Sequence, residues 1–347
     1  MGQLQMIFDT LVTGARFSDN TGLLNGKTGI ALFLFHLARA TGNSEYEAYA
    51  GEMIDQIMES LHETGTADYA DGLAGFGVGI SYMIRQRFIG GDADEVLADI
   101  DRVIRQQTPF FLNSKPETGT GKTGLGKYFT ERLANRTVLP ENDPNRTALS
   151  SIIRSLSCPY ETYREILGVI HILSEAIPLG VEPEKTRTYL NCAVDQMETM
   201  VHEDRYFGSC YPGQFNPLVA AAVLCRASTK TGNSVFADRA LRYIRLYEPV
   251  FRANLCSESK VNALKWSFLY GYLGCQFQNS ELLHLSEKWL ACSREKEFEP
   301  NTSLGLLDGY AGAGMYLLST DGLCSDEWLD IVPCYVEKMA YRMITVL

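Results

Sequence analysis

Asp71 and Asp308 stand directly before a glycine in two similar stretches, "YADGLAGFGVGISYM" at 69–83 and "LLDGYAGAG" at 306–314. Two carboxylates placed across one bond can hydrolyse a glycoside, and either one can receive an amine or a hydroxyl. The same residue type caps a helix start, so a structural role stands beside the chemical one. "PETGTGKT" at 116–123 approaches the phosphate-binding pattern G-x-x-x-x-G-K-[ST], but Pro116 replaces its first glycine and the pattern needs a preceding strand. "GKTG" occurs at both 26–29 and 121–124, so a repeat explains these residues without a nucleotide. The nine cysteines are scattered and never in C-x-x-C spacing, which fits reduced, mostly buried thiols. His36, His62 and His202 read as ordinary helix or surface residues.

The elements that must position these residues emerge from the repeat. Its lead glycines are Gly26, Gly72, Gly121, Gly168, Gly213, Gly271 and Gly309, which gives seven units with a mean spacing of about 47 residues. Each unit reads as two helices. In the first unit, Ile30–Leu37 is apolar nearly all round, so that helix should be buried. "TGNS" at 41–44 then supplies a left-handed cap at Gly42 and a capping box from Ser44 to Glu47. Tyr46, Tyr49, Met53, Ile57 and Leu61 mark one face of an outer, amphipathic helix. "TGNS" returns at 231–234. No strand alternation is convincing. The expected fold is therefore all-α: one domain over residues 1–347, an α/α toroid of about seven hairpins with inner and outer helix rings. Residues just before the lead glycines should ring one mouth: Asn25, Asp71, Thr120, Leu167, Pro212, Tyr270 and Asp308, with Cys210 and Tyr211 beside them. Asn25, Thr120 and Tyr270 are candidate ligand-binding residues there; Tyr211, Asp71 and Asp308 are candidates for chemistry.

Bulk properties narrow the partners. The 42 acidic and 31 basic residues give a net charge of −11, which argues against nucleic acid, whose phosphates must be neutralised. The longest apolar runs are about 10 residues, too short to span a bilayer. The start "MGQLQMIFDT" has neither a basic segment nor an apolar signal core, and the expected location is cytoplasmic. Oligomeric state is left open.

A helical toroid with G-x-x-G heads resembles the lanthionine synthetase C-like family, the cyclases of lanthipeptide biosynthesis. "GLLNGKTGIALFL", "DGLAGFGVGISYM" and "GLLDGYAGAGMYLL" carry the resemblance, which covers nearly the whole chain. It implies a zinc ion held by a Cys in a Cys-Tyr-Gly motif and by an adjacent Cys-His before a repeat glycine. That zinc activates a substrate cysteine for addition to a dehydrated Ser or Thr. Cys210-Tyr211 matches the first motif with Pro212 in place of glycine. Leu269-Tyr270-Gly271 stands at the second, so both of its ligands are missing. The family's catalytic histidine falls near Leu167, one turn from His171. No metal is therefore expected, with Cys210 the one family ligand retained.

The function expected on these grounds is a zinc-less, peptide-binding or divergent cyclase-like component of a lanthipeptide-type modification system, a pseudoenzyme in the first case. Its partner would be a peptide substrate or precursor peptide, with a cationic segment preferred at Asp71 and Asp308. Two alternatives are kept: a zinc-dependent thioether cyclase with replaced ligands, for which Cys256, Cys275 and His284 are near in sequence, and a carboxylate-dependent toroid glycoside hydrolase.

Overall fold

The computed structural model describes residues 2–60, 65–136, 140, 142–207, 216–253 and 258–333. In chain order its helices are α1 (Gly2–Ala15), α2 (Lys27–Thr41), α3 (Ser44–Ser60), α4 (Leu73–Arg85) and α5 (Ala93–Val96). They continue with α6 (Ala98–Phe111), α7 (Lys122–Ala134), α8 (Pro144–Arg154), α9 (Tyr163–Ala176) and α10 (Pro183–Phe207). The last are α11 (Pro217–Thr231), α12 (Ser234–Ala253), α13 (Lys260–Gln276), α14 (Ser280–Arg294) and α15 (Tyr310–Thr320), before a 3₁₀ turn at Asp326–Asp330.

Seven of these form a closed inner ring. α2, α4, α7, α9, α11, α13 and α15 each pack on the next, and α15 packs back on α2. Their apolar circumference explains the placement: every residue of α2 from Thr28 to Ala38 is buried. Helices with a single apolar stripe lie outside, α3 on α2, α6 on α4, α8 on α7, α10 on α9, α12 on α11 and α14 on α13. α3 buries Tyr46, Ala50, Met53, Ile54 and Ile57 along one face. The outer place of the seventh hairpin is filled from the other end of the chain, because α1 packs on α15.

The glycine heads have a shared construction in four units. Lys27, Leu73, Lys122 and Tyr310, each the first helical residue, donate their N–H to the carbonyl seven residues earlier, at Asn20, Thr66, Lys115 and Ser303. That returning strand of chain presses against the helix start. A Cβ on Gly29, Gly75, Gly124 or Gly312 would overlap the carbonyl oxygen of Leu23, Tyr69, Thr118 or Leu306. Close backbone approach therefore demands glycine here; the lead glycines have ordinary extended torsions, such as φ −122° at Gly26. The heads also join one another: Leu306 and Leu307 donate to the Leu24 carbonyl, Leu24 to Ala70, and Tyr69 and Ala70 to Gly119.

The middle units depart from the expected register. α9, α11 and α13 begin at side-chain caps, Thr162, Asn216 and Ser259, whose oxygens accept from backbone N–H groups of the first turn. Gly168 and Gly271 are thus not heads but interior positions of α9 and α13. A Cβ on Gly168 would press on the Thr118 and Thr123 hydroxyls, and one on Gly271 would meet Ser286 of α14. Gly213 lies outside the described residues. Gly42 does adopt the left-handed cap, at φ 70°, but the side chain that serves α3 is Asn43, accepting from the Glu45 N–H at 3.0 Å, rather than Ser44.

Past α15 the chain crosses the ring. Cys324 meets His36 of α2 at 3.1 Å, and Glu327 accepts from Gln86 at the end of α4. Asp330 pairs with Arg226 and Lys230 of α11. Trp328 packs on Phe268 of α13 and Tyr316 of α15. A segment touching five inner helices enters the ring from the end where those helices finish, and its Ile331 carbonyl accepts from the hydroxyl of Tyr69, three residues before the Gly72 cap. Trp328, Leu329, Ile331 and Val332 are buried there.

Candidate functional site

The opposite end, where the inner helices start, is the mouth. Helix geometry points several groups at it: the residue before each cap, and long side chains of the second turn, which lean toward the helix start. The cap register fixes which residues these are. Asn25, Asp71, Thr120 and Asp308 precede Gly26, Gly72, Gly121 and Gly309, as the repeat predicts. In the middle units the positions belong to Glu161 and Glu258, before Thr162 and Ser259.

Asp71 is exposed and accepts from Asn20 Nδ2 at 2.8 Å and Asn25 Nδ2 at 3.2 Å, so Asn25 and Asp71 are brought together. Thr120 is exposed at its head. Glu161 pairs with Lys115 at 2.8 Å; the hydrogen bond and charge of that ammonium hold its carboxyl below the usual range. Glu258 accepts from Asn262 Nδ2 at 2.9 Å. Asp308 is partly buried, and Oδ1 stands 3.8 Å from the Lys265 ammonium. The lysine side chain is 2% exposed, and it rises from the second turn of α13. This buried ammonium offsets part of the Asp308 charge, which weakens the argument for a cationic preference at that position.

Tyr270 is not at the mouth. It is fully buried in the middle of α13, because Ser259 starts that helix twelve residues earlier than a cap at Gly271 would. Leu167 is likewise buried inside α9. Cys210, Tyr211, Pro212 and Cys256 lie outside the described residues, as does His62. Cys275 is exposed rather than buried, and Cys158 and Cys192 form a disulfide, so the cysteines are not uniformly reduced and buried thiols.

Inside the ring a small, mainly apolar cleft runs along α11. Val219, Ala222 and Val223 line it with Leu269 of α13, and its polar groups include His171, Glu175, Lys230 and Asp330. His171 Nε2 lies 3.3 Å from Glu175 Oε1, and Lys127 Nζ lies 2.6 Å from the same carboxylate. Burial pushes the Glu175 and Asp330 carboxyls up. The Lys127 charge and the hydrogen bonds from Lys127 and His171 at Glu175, and the Arg226 charge at Asp330, outweigh it and hold both below the usual range.

Among the described residues no group of three His, Cys, Asp or Glu side chains could hold a metal ion. The register also changes which residues are at issue. Leu269 and Tyr270 are helix-interior residues, so the last two positions before the α13 cap belong to Ser257 and Glu258, with Cys256 one residue earlier. Lys115, Glu161, Glu258 and Lys265 were not legible as mouth residues without that register.

The family model for lanthionine synthetase C-like protein matches residues 18–201, just over half of the chain. Among solved structures, nisin cyclase superposes with a TM-score of 0.70 at 13% sequence identity, over 96% of this chain and 96% of that one; at this identity the likeness is one of fold. No curated protein sequence matches the chain.

Proposed function

Because the chain belongs to the lanthionine synthetase C-like family, we propose that it acts in lanthipeptide-type peptide modification, binding a precursor peptide at the mouth of the toroid. The observation that supports this reading is the crossing segment: among the described residues, 323–333 packs across the end where the inner helices finish, and the reading assigns the ligand to the end where they start. That mouth offers Asn25, Asp71, Thr120, Glu161, Glu258, Asp308 and Lys265, a mixed polar rim suited to a peptide backbone.

The proposal keeps the protein zinc-less, on a reason different from the one the sequence suggested. The head of α13 reads Ser257-Glu258-Ser259 where the family has Cys-His-Gly. The imidazole is missing, and Glu258 is already engaged by Asn262. Even with Cys210 and Cys256 both available, the site would have two thiolates and no third soft ligand. Cys256 is the specific observation that favours the second reading, a zinc cyclase with replaced ligands. The hydrolase reading has less support, since Asp71 is engaged by two amides and Asp308 lies beside an ammonium.

The test is metal analysis of protein purified without chelator, alongside titration with a candidate lanthipeptide precursor peptide. The proposal expects peptide binding and, at most, about a tenth of a zinc per chain. One zinc per chain, lost in both Cys210→Ala and Cys256→Ala, would establish the cyclase reading instead. Absence of peptide binding in the metal-free protein would remove the binding role.

A further inference from the structure

Segment 323–333 occupies the inside of the ring without belonging to any of its hairpins. It leaves α15 through an exposed turn at 321–323, where Gly322 is left-handed at φ 70°, and forms one 3₁₀ turn, Asp326–Asp330. Much of its grip on the ring is polar. Arg226 and Lys230 of α11 pair with the Asp330 carboxylate, and the Tyr69 hydroxyl donates to the Ile331 carbonyl at 2.6 Å. The backbone hydrogen bonds from Ile331 and Val332 to the Trp328 carbonyl are internal to the segment, so it can move as a unit.

A permanent core piece between helices that are apolar nearly all round would be expected to be apolar too. A buried ion pair adds little net stability over an apolar filler, but it selects what is accepted: here, a stretch of chain that brings a carboxylate. Nor is the fit close on every side. Leu329, Asp330 and Pro333 leave a small cleft against Val219, Ala222 and Leu269, where a settled core would be packed without gaps. We infer that residues 327–333 are an autoinhibitory occupant of the ring, which swings out about the exposed turn at Gly322 and must leave before a peptide can pass inward from the mouth. The direction of the segment fits this role, since it runs from the far end to Tyr69, a residue of the α4 head. The inference rests on the peptide-binding reading and adds how access to that site is regulated.

Two measurements test it, and neither uses a precursor peptide. The first is amide hydrogen exchange of the ¹⁵N-labelled full chain. Ile331 and Val332 should be protected at least about tenfold less than Leu269 and Tyr270 of α13, because the segment opens without the ring. Asp330→Asn should lower their protection at least about tenfold further and leave α13 unchanged. The second uses an unlabelled synthetic peptide with the segment's own sequence, EWLDIVP, acetylated and amidated at its ends. Apparent affinity scales with the open fraction, so this peptide should bind Asp330→Asn at least about tenfold more tightly than wild type. In wild type itself, an excess of the peptide should speed exchange at Ile331 and Val332, a readout that needs no variant. Exchange of Ile331 and Val332 in step with α13 in both proteins, or equal affinity of the peptide for both, would overturn the inference and make the segment a fixed part of the core. Either result leaves the peptide-binding reading in place, while failure of precursor binding with a displaceable segment removes that reading alone.

Discussion

Lys127 on α7 and Glu175 on α9 are 48 residues apart in sequence and 2.6 Å apart in space, and both are buried. Thr130 donates to the same carboxylate at 2.8 Å, and Glu131, one turn from Lys127, is served by Arg85. A charged network thus ties neighbouring inner helices together where an apolar seam would be expected. Lys127→Met leaves Glu175 buried without its main counter-charge and should cost about 3–5 kcal/mol. Lys127→Met with Glu175→Leu should recover most of that loss, because removing both ends also removes the desolvation penalty. Urea unfolding of the two variants decides it; a double variant no more stable than the single one would show that the pair is net stabilising.

His36 makes stability depend on pH. Its Nε2 lies 3.0 Å from the Tyr82 hydroxyl and its Nδ1 3.1 Å from Cys324 Sγ. Burial, with the Arg39 charge adding to it, pushes its pKa from 6.5 down to about 3. A base whose folded pKa is lowered contributes stability that is complete above its unfolded pKa and is lost as pH falls below it. Between about pH 7.5 and about pH 5 the loss should be about 2 kcal/mol. His36→Gln, which has no such proton to gain, should show a flatter decline by that amount. Equal slopes in the two proteins would mean that His36 is protonated in the fold.

The glycine heads predict opposite signs at two glycines. In Gly75→Ala the new methyl overlaps the carbonyl oxygen of Tyr69, a residue whose N–H is tied into the head belt. The cost should be about 1–3 kcal/mol or more. Gly51 lies inside outer helix α3 with nothing near its missing Cβ. Gly51→Ala should stabilise by about 0.5–1 kcal/mol. Thermal melts of both suffice; a harmless Gly75→Ala would mean that the head loop can give way.

The same heads explain what could be read from the sequence. Units whose cap is backbone need glycines at fixed spacing, and those glycines are visible: Gly26, Gly72, Gly121 and Gly309 are all helix caps. Thr162, Asn216 and Ser259 cap with side chains, need no glycine, and look like any small polar residue. Gly168 and Gly271, present for helix contacts, then mimic heads one to three turns too late. That slip moved Tyr270 onto the mouth and hid Glu161 and Glu258. Lys265 was hidden differently: it sits in the apolar run "VNALKWSFLYG" and its partner lies 43 residues on. The partnership of α1 with α15 joins opposite ends of the chain, which no local pattern encodes.

The disulfide between Cys158 and Cys192 gives the last prediction. Cys158 belongs to the loop before the α9 cap, and Cys192 to outer helix α10. Gln196 of α10 reinforces the link, accepting from the Tyr160 N–H at 2.8 Å. The sequence alone suggested reduced thiols, since scattered cysteines with no spacing pattern carry no pairing signal. Denatured, unreduced protein should therefore expose no more than seven thiols of the nine, and all nine after reduction. The bridge closes a sequence separation of 34 residues, so its removal should cost about 2–4 kcal/mol. Cys158→Ser with Cys192→Ser should lose stability by that amount and become insensitive to reductant, while wild type falls to the same level when reduced. Nine free thiols in unreduced protein would show that the two sulfurs stand close but unbonded, and the double substitution should then have little effect on unfolding.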